Sequence, residues 1–114
     1  MKKFIILYAA PIEAVRQMAA VPKEEQAKGM ELWMQWSKKA EKHLVDLGSP
    51  LGNGKSLNPK GALSESDKDI CGYSMMEAND MSEAINLLQG HPHLGGWNAD
   101  CSIEVYEVLP IPGM

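Results

Sequence analysis

The sequence predicts an α+β domain, and three observations carry that prediction. Two segments, Lys3 to Ala9 and Asp69 to Ala78, are apolar on both alternating faces, as strands covered on both sides must be. Between them runs a stretch whose apolar residues recur every three or four positions, the period of a helix. At 114 residues the chain can bury one core and has no length for a second module, so 1–114 reads as a single domain.

The elements follow in order. "KFIILYA" places Phe4, Ile6 and Tyr8 on one face and Ile5, Leu7 and Ala9 on the other, and Pro11 stops it. From Pro22 the period changes: Met30, Trp33, Ser37, Ala40, Leu44 and Leu47 form a stripe that Trp36 widens, Glu24 and Glu25 sit in the first turn, and Gly48 lies just past the end. This predicts one long helix from Pro22 to Leu47. The stretch 49–69 is rich in Gly, Ser, Asn and Pro, and its strand-like fragment Lys55 to Leu57 predicts a weak strand followed by a long hairpin or loop. "DICGYSMMEA" alternates Cys71, Tyr73, Met75 and Glu77 against Ile70, Gly72, Ser74 and Met76, giving a second strong strand. "NDMSEAINLLQG" opens with Asp80 or Ser82 ahead of Glu83, a capping signature, and closes on Gly90, which predicts a short helix. "CSIEVYEVL" sets Ile103 and Val105 against Glu104 and Tyr106 before Pro110 and Pro112 end it.

Strand, helix, weak strand, strand, helix, strand is the βαββαβ order of a ferredoxin-like fold, a four-stranded antiparallel sheet with two helices on one face. The expected spatial order is last, first, third, second, which makes the Lys3–Ala9 strand central. The far sheet face is then bare, with Phe4, Ile6 or Tyr8, Met75 and Val108 expected on it, and an isologous contact with a second copy would cover that apolar patch using it twice. The expected partner is therefore the chain itself, as a homodimer through the sheet faces.

Charge narrows the remaining classes. A net charge of −4 with no clustered Lys or Arg argues against a nucleic-acid partner. "MKKFIILYAAPIEAVRQ" imitates a signal peptide, but Pro11, Glu13 and Arg16 break the apolar run, and no stretch reaches the roughly 20 apolar residues of a membrane span. A soluble cytoplasmic protein with no membrane partner is the expectation. Cys71 and Cys101 make no CxxC spacing and read as reduced thiols.

The segments "MKKFIILY", "GNGKSL", "GYSMMEANDMSEAINLLQGHPHL" and "CSIEVYEVLPI" together resemble the YCII-related family, near its DGPF-domain branch. The resemblance implies a dimeric α+β barrel, two ferredoxin-like subunits with their sheets face to face. It does not carry a catalytic pair across: the DGPF tetrapeptide is missing from "GALSESDKDICGYS", and the long helix begins "KEEQAKGMELW" without the histidine another branch uses.

Candidate site residues come from chemistry and position. His91 and His93 in "GHPHLGG" read first as a helix-to-strand turn, with a ligand-contacting role as the alternative; two ligands without a third make no metal site. Tyr8, Tyr73, His91, His93 and Asp100 are expected around one mouth of an inter-subunit cavity. Glu104 and Tyr106 should face that cavity if Ile103 and Val105 face the helices. A carboxyl group there is suited to proton transfer, with a histidine such as His93 as its partner. Trp36 is a core residue or the floor of a pocket. The resulting expectations are a small enzyme acting by acid–base chemistry on a small organic molecule without a cofactor, or a non-catalytic binding or assembly module.

Overall fold

The computed structural model describes residues 1–113. It is an α+β domain whose strands β1 (Lys2–Ala9), β2 (Leu44–Pro50), β5 (Ile70–Ala78) and β6 (Ser102–Glu107) form an antiparallel sheet in the order β2-β5-β1-β6. A separate two-stranded sheet pairs β3 (Lys55–Leu57) with β4 (Leu63–Glu65). Three α-helices complete it: α1 (Ile12–Ala19), α2 (Lys23–Lys39) and α3 (Met81–Leu88). This architecture is compatible with a ferredoxin-like fold. Among the described residues, no helix is long and apolar enough to cross a membrane.

β1 is central because both of its edges are paired, with β5 on one side and β6 on the other. Its even-numbered residues Phe4, Ile6 and Tyr8 are buried against Trp36 and Ala40 of the α2 end and Ala84 and Leu88 of α3. Met76 and Ala78 of β5 join this cluster from the same side of the sheet, and Ile103 and Val105 pack against it from β6. The Trp36 indole donates to the Leu87 carbonyl at 3.0 Å, which locks the two helices together under the sheet. α3 starts where Asp80 accepts from the Glu83 amide at 2.8 Å, so Asp80 rather than Ser82 is the cap. Glu83 reaches back to the Asn79 amide at 3.0 Å.

Three expectations need correction. The helix expected from Pro22 to Leu47 ends at Lys39, and Leu44–Pro50 is the edge strand β2. β2 is bulged: its register against β5 shifts between Leu44 and Asp46 and again between Asp46 and Ser49. These shifts let Leu44 and Leu47, three positions apart, both pack on the core, and that spacing imitates a helix. Gly48 makes the second irregularity, with φ of 83° and a position where a Cβ would lie 1.7 Å from the Tyr73 carbonyl oxygen. Met30, placed on the buried stripe, is exposed. Second, the fragment Lys55–Leu57 is a strand, but it belongs to its own hairpin and not to the main sheet. Third, the expectation of two helices missed α1, which follows Pro11 directly and buries Ala14.

Candidate functional site

The sheet has two unlike faces, and the expected site residues are divided between them. On the face away from α2 and α3, Leu7 sits between Tyr73 of β5 and Glu104 of β6, and Ile5 between Met75 and Tyr106. Alternation dictates this arrangement, because Ile103 and Val105 are drawn to the core and push Glu104 and Tyr106 to the opposite side. Asp46 and Ser49 of β2 extend the same rows beyond Met75 and Tyr73. The Tyr73 hydroxyl donates to Asp46 at 3.5 Å, the outer limit for such a bond.

Where β1 ends, this face hollows into an open cavity of about 610 Å³. Leu7 and Ala9 of β1, Ile70 of β5, and Glu104 and Tyr106 of β6 line it, and Asp69, Asp100 and Lys68 add charge. Asp69 is a rare non-glycine residue with positive φ, 55°, and its carbonyl accepts from the Ala10 amide at 2.9 Å, pinning the chain as it enters β5. Glu104 and Tyr106 are exposed here. The arrangement puts a carboxylate and a phenol on one strand beside an apolar floor, which suits a small organic molecule with at least one polar group.

The other face holds the histidines. His91 and His93 follow α3 on a single 3-10 turn (Pro92–Leu94) that folds over Tyr8 and α2. His91 is 1% exposed, with its ring 4.4 Å from those of Trp33 and Trp36 and 5.0 Å from that of Tyr8. Its Nδ1 accepts from the His93 amide at 2.9 Å, so the ring proton is assigned to Nε2, which has no hydrogen-bond partner inside the aromatic box. Burial, and then the neighbouring His93, lower the His91 pKa from 6.5 to about 3. His93 donates from Nε2 to the Ala9 carbonyl at 2.8 Å, and its own carbonyl accepts from Trp97 at 3.1 Å.

Tyr8 belongs to the same interior. Its hydroxyl lies 2.8 Å from Ser74 Oγ, and Ser74 donates to the Leu47 carbonyl at 2.6 Å, so the Tyr8 proton points to Ser74. This buried relay crosses β1, β5 and β2. Burial outweighs the Ser74 hydrogen bond and pushes the Tyr8 pKa up to about 12.

The single mouth expected around Tyr8, Tyr73, His91, His93 and Asp100 therefore does not form. Tyr8, Trp36, His91 and His93 lie on the covered face, while Tyr73, Glu104, Tyr106 and Asp100 lie on or beside the bare one. Tyr8 pairs with Gly72 and Ile103, and Leu7, one residue earlier, pairs with Tyr73 and Glu104; one step in register reverses the face. Phe4 and Ile6 share the parity of Tyr8 and all three are buried, which corrects the expectation of Phe4, Ile6 or Tyr8 on the open face. Leu7, Ala9 and Ile70 were not singled out for the cavity, and nothing in their type marks them except the same parity argument. His91 Nδ1 is engaged by an amide and His93 Nε2 by a carbonyl, while His91 Nε2 is shut inside the aromatic box on the covered face. Among the described residues, no group of three or more His, Cys, Asp or Glu side chains is placed to hold a metal ion.

Cys71 and Cys101 are both free, at the starts of strands that flank β1. Burial raises the Cys71 thiol pKa first, helped by Cys101. Cys101 is raised by burial and by Asp100. No family model and no curated protein matches this chain.

Proposed function

We propose that the protein is a homodimer closed sheet face to sheet face, a dimeric α+β barrel of the YCII-related type, that holds a small organic molecule between its sheets. The observation that carries this reading is the bare face itself: Ile5, Leu7 and Met75 occupy its centre, and the cavity of about 610 Å³ opens at one end. Apolar residues at the centre of an uncovered sheet are an interface signal, and a two-fold contact covers both copies at once.

Closure also gives Glu104 a chemical role. Beside Leu7 and Ile70 its carboxylate is a group in the cavity lining that can give or take a proton from a bound molecule. The reading is acid–base catalysis on a small organic molecule with Glu104 as the proton carrier, aided by Tyr106 or Asp100 and not by a histidine, since His91 and His93 lie across the sheet. Proton transfer of this kind needs no cofactor. A second reading, a binding module without turnover, draws on the apolar share of the lining, Leu7, Ala9, Pro11 and Ile70.

Native mass spectrometry of the purified protein, followed by a turnover screen on enol and phenol compounds with wild type and Glu104→Gln, separates the readings. Turnover that Glu104→Gln abolishes while the ligand still binds supports the enzyme. A retained ligand with no turnover in either protein supports the binding module. No ligand bound at any concentration would overturn both.

A further inference from the structure

The chain has asparagines at 53, 58, 79, 86 and 98, and their surroundings differ in a way that bears on one reaction. The backbone nitrogen of the next residue can attack an asparagine side-chain amide, because the atoms between them close a five-membered ring. The attack needs a side chain free to turn, a following nitrogen with a proton to lose and no hydrogen bond to hold it, and a following residue that does not crowd the ring. Glycine meets the last condition best, since it has no Cβ.

Four of these asparagines are protected. Asn58 precedes Pro59, whose nitrogen carries no proton, and its side chain is held by the amides of Lys60 at 3.0 Å and Ala62 at 2.9 Å. Asn79 precedes Asp80, and its Nδ2 donates to Glu83 at 3.3 Å. Asn86 lies inside α3, where the Leu87 amide belongs to the helix ladder and the backbone is fixed. Asn98 precedes Ala99, and its Oδ1 accepts from the Asp100 amide at 2.8 Å.

Asn53 differs on each count. It precedes Gly54 on the exposed link between β2 and β3. Among the described residues, neither its side chain nor the Gly54 amide has a hydrogen-bond partner; the Gly54 carbonyl alone is engaged, by the Ser66 amide at 3.0 Å. Asn53 holds a left-handed φ of 57°, and Gly52 and Gly54 on either side let the link turn without disturbing a packed strand.

We propose that Asn53 is a self-modification site, at which the folded chain deamidates itself. The Gly54 nitrogen attacks Asn53 Cγ and gives up its proton to solvent; the new N–Cγ bond forms, the Cγ–Nδ2 bond breaks, and ammonia leaves. Water then opens the imide. Opening at Cγ leaves an aspartate, and opening at the backbone carbonyl leaves an isoaspartate whose main chain runs through the side-chain carbon. Either product adds a negative charge to a chain of net charge −4, and isoaspartate lengthens the link that carries the β3–β4 hairpin. Neither touches the core, and neither depends on a second copy or a bound molecule.

Incubation of the full chain in mildly alkaline buffer, followed by peptide mapping with mass spectrometry, tests this. The peptide that holds Asn53 is expected to gain the mass difference between an amide and an acid and to split into aspartate and isoaspartate forms, while the other four asparagines keep their mass. Asn53→Gln, which would need a six-membered ring, is expected to abolish the change. Gly54→Ala is expected to slow it about tenfold, the effect of about 1.4 kcal/mol of added barrier, since a Cβ there would lie 3.1 Å from the Ser66 Cβ. An Asn53 that converts in urea but not in the folded chain would overturn the proposal, because the fold would then protect it. So would conversion of Asn79 or Asn98 ahead of Asn53.

Discussion

The two faces of one sheet are built on opposite terms. On the covered face every large side chain of β1 is closed off, and the polar groups that enter are nearly all paired: Tyr8 to Ser74, Ser74 to Leu47, His93 to Ala9, Trp36 to Leu87. On the bare face the same strands carry residues of similar apolarity, Ile5 and Leu7, that remain half-buried, and polar groups such as Glu104 that end in an open cavity. Alternation alone separates the two sets. The first face secures the fold of one chain, and the function proposed above draws on the second.

Substitutions on the covered face should therefore act on stability. Trp36→Ala removes a buried aromatic and its bond to α3, and should cost about 3–5 kcal/mol in chemical unfolding. A cost under 1 kcal/mol would mean that α2 and α3 are not joined through it.

Acid should act through His91. Its folded pKa, about 3, lies below the unfolded value of 6.5, so above 6.5 neither state binds the proton and stability is complete. As pH falls from 6.5 towards 3 the unfolded chain takes up a proton that the folded chain refuses, and stability drops by about 1.4 kcal/mol per pH unit before levelling. His91→Asn keeps an acceptor for the His93 amide and removes the titration. It should be less stable at pH 7 but should lose that part of the slope, measured by unfolding at a series of pH values. An unchanged slope would place the acid sensitivity elsewhere.

The Tyr8 relay gives an ordering. Ser74→Ala strands both the Tyr8 hydroxyl and the Leu47 carbonyl in the interior, a loss of about 2–3 kcal/mol, whereas Tyr8→Phe leaves Ser74 bonded to Leu47 and should cost about 1 kcal/mol. Equal losses would contradict the direction assigned to the Tyr8 proton. Smallest of all, Leu7→Ala should change the stability of the dilute, monomeric chain by less than about 1 kcal/mol, because its side chain is already half in water.

Much of this contrast was legible in the sequence, because parity along a strand is written in residue type. Ile103 and Val105 against Glu104 and Tyr106 placed the last strand correctly, whereas Phe4, Ile6 and Tyr8 of the first strand were expected on the open face and are instead its core side. Both faces of the first strand are apolar, so residue type could not say which one the helices cover, and Tyr8 was expected at the cavity with the wrong set. β2 was unreadable for a different reason. Its bulges put Leu44 and Leu47 on one side at a spacing of three, and only pairing with β5, a contact distant in sequence, decides between helix and strand. The cavity was hidden because Leu7, Ala9 and Ile70 meet only when β1, β5 and β6 have been aligned.

The central claim is that the bare face is sealed by a second copy. Sedimentation equilibrium of wild type beside Leu7→Glu tests it most directly, since Leu7 is at the centre of that face between Tyr73 and Glu104. The account predicts that wild type has twice the chain mass at micromolar concentration and that Leu7→Glu, with like charges facing across the two-fold contact, has the mass of one folded chain. A monomeric wild type, or a Leu7→Glu dimer as tight as wild type, would contradict it.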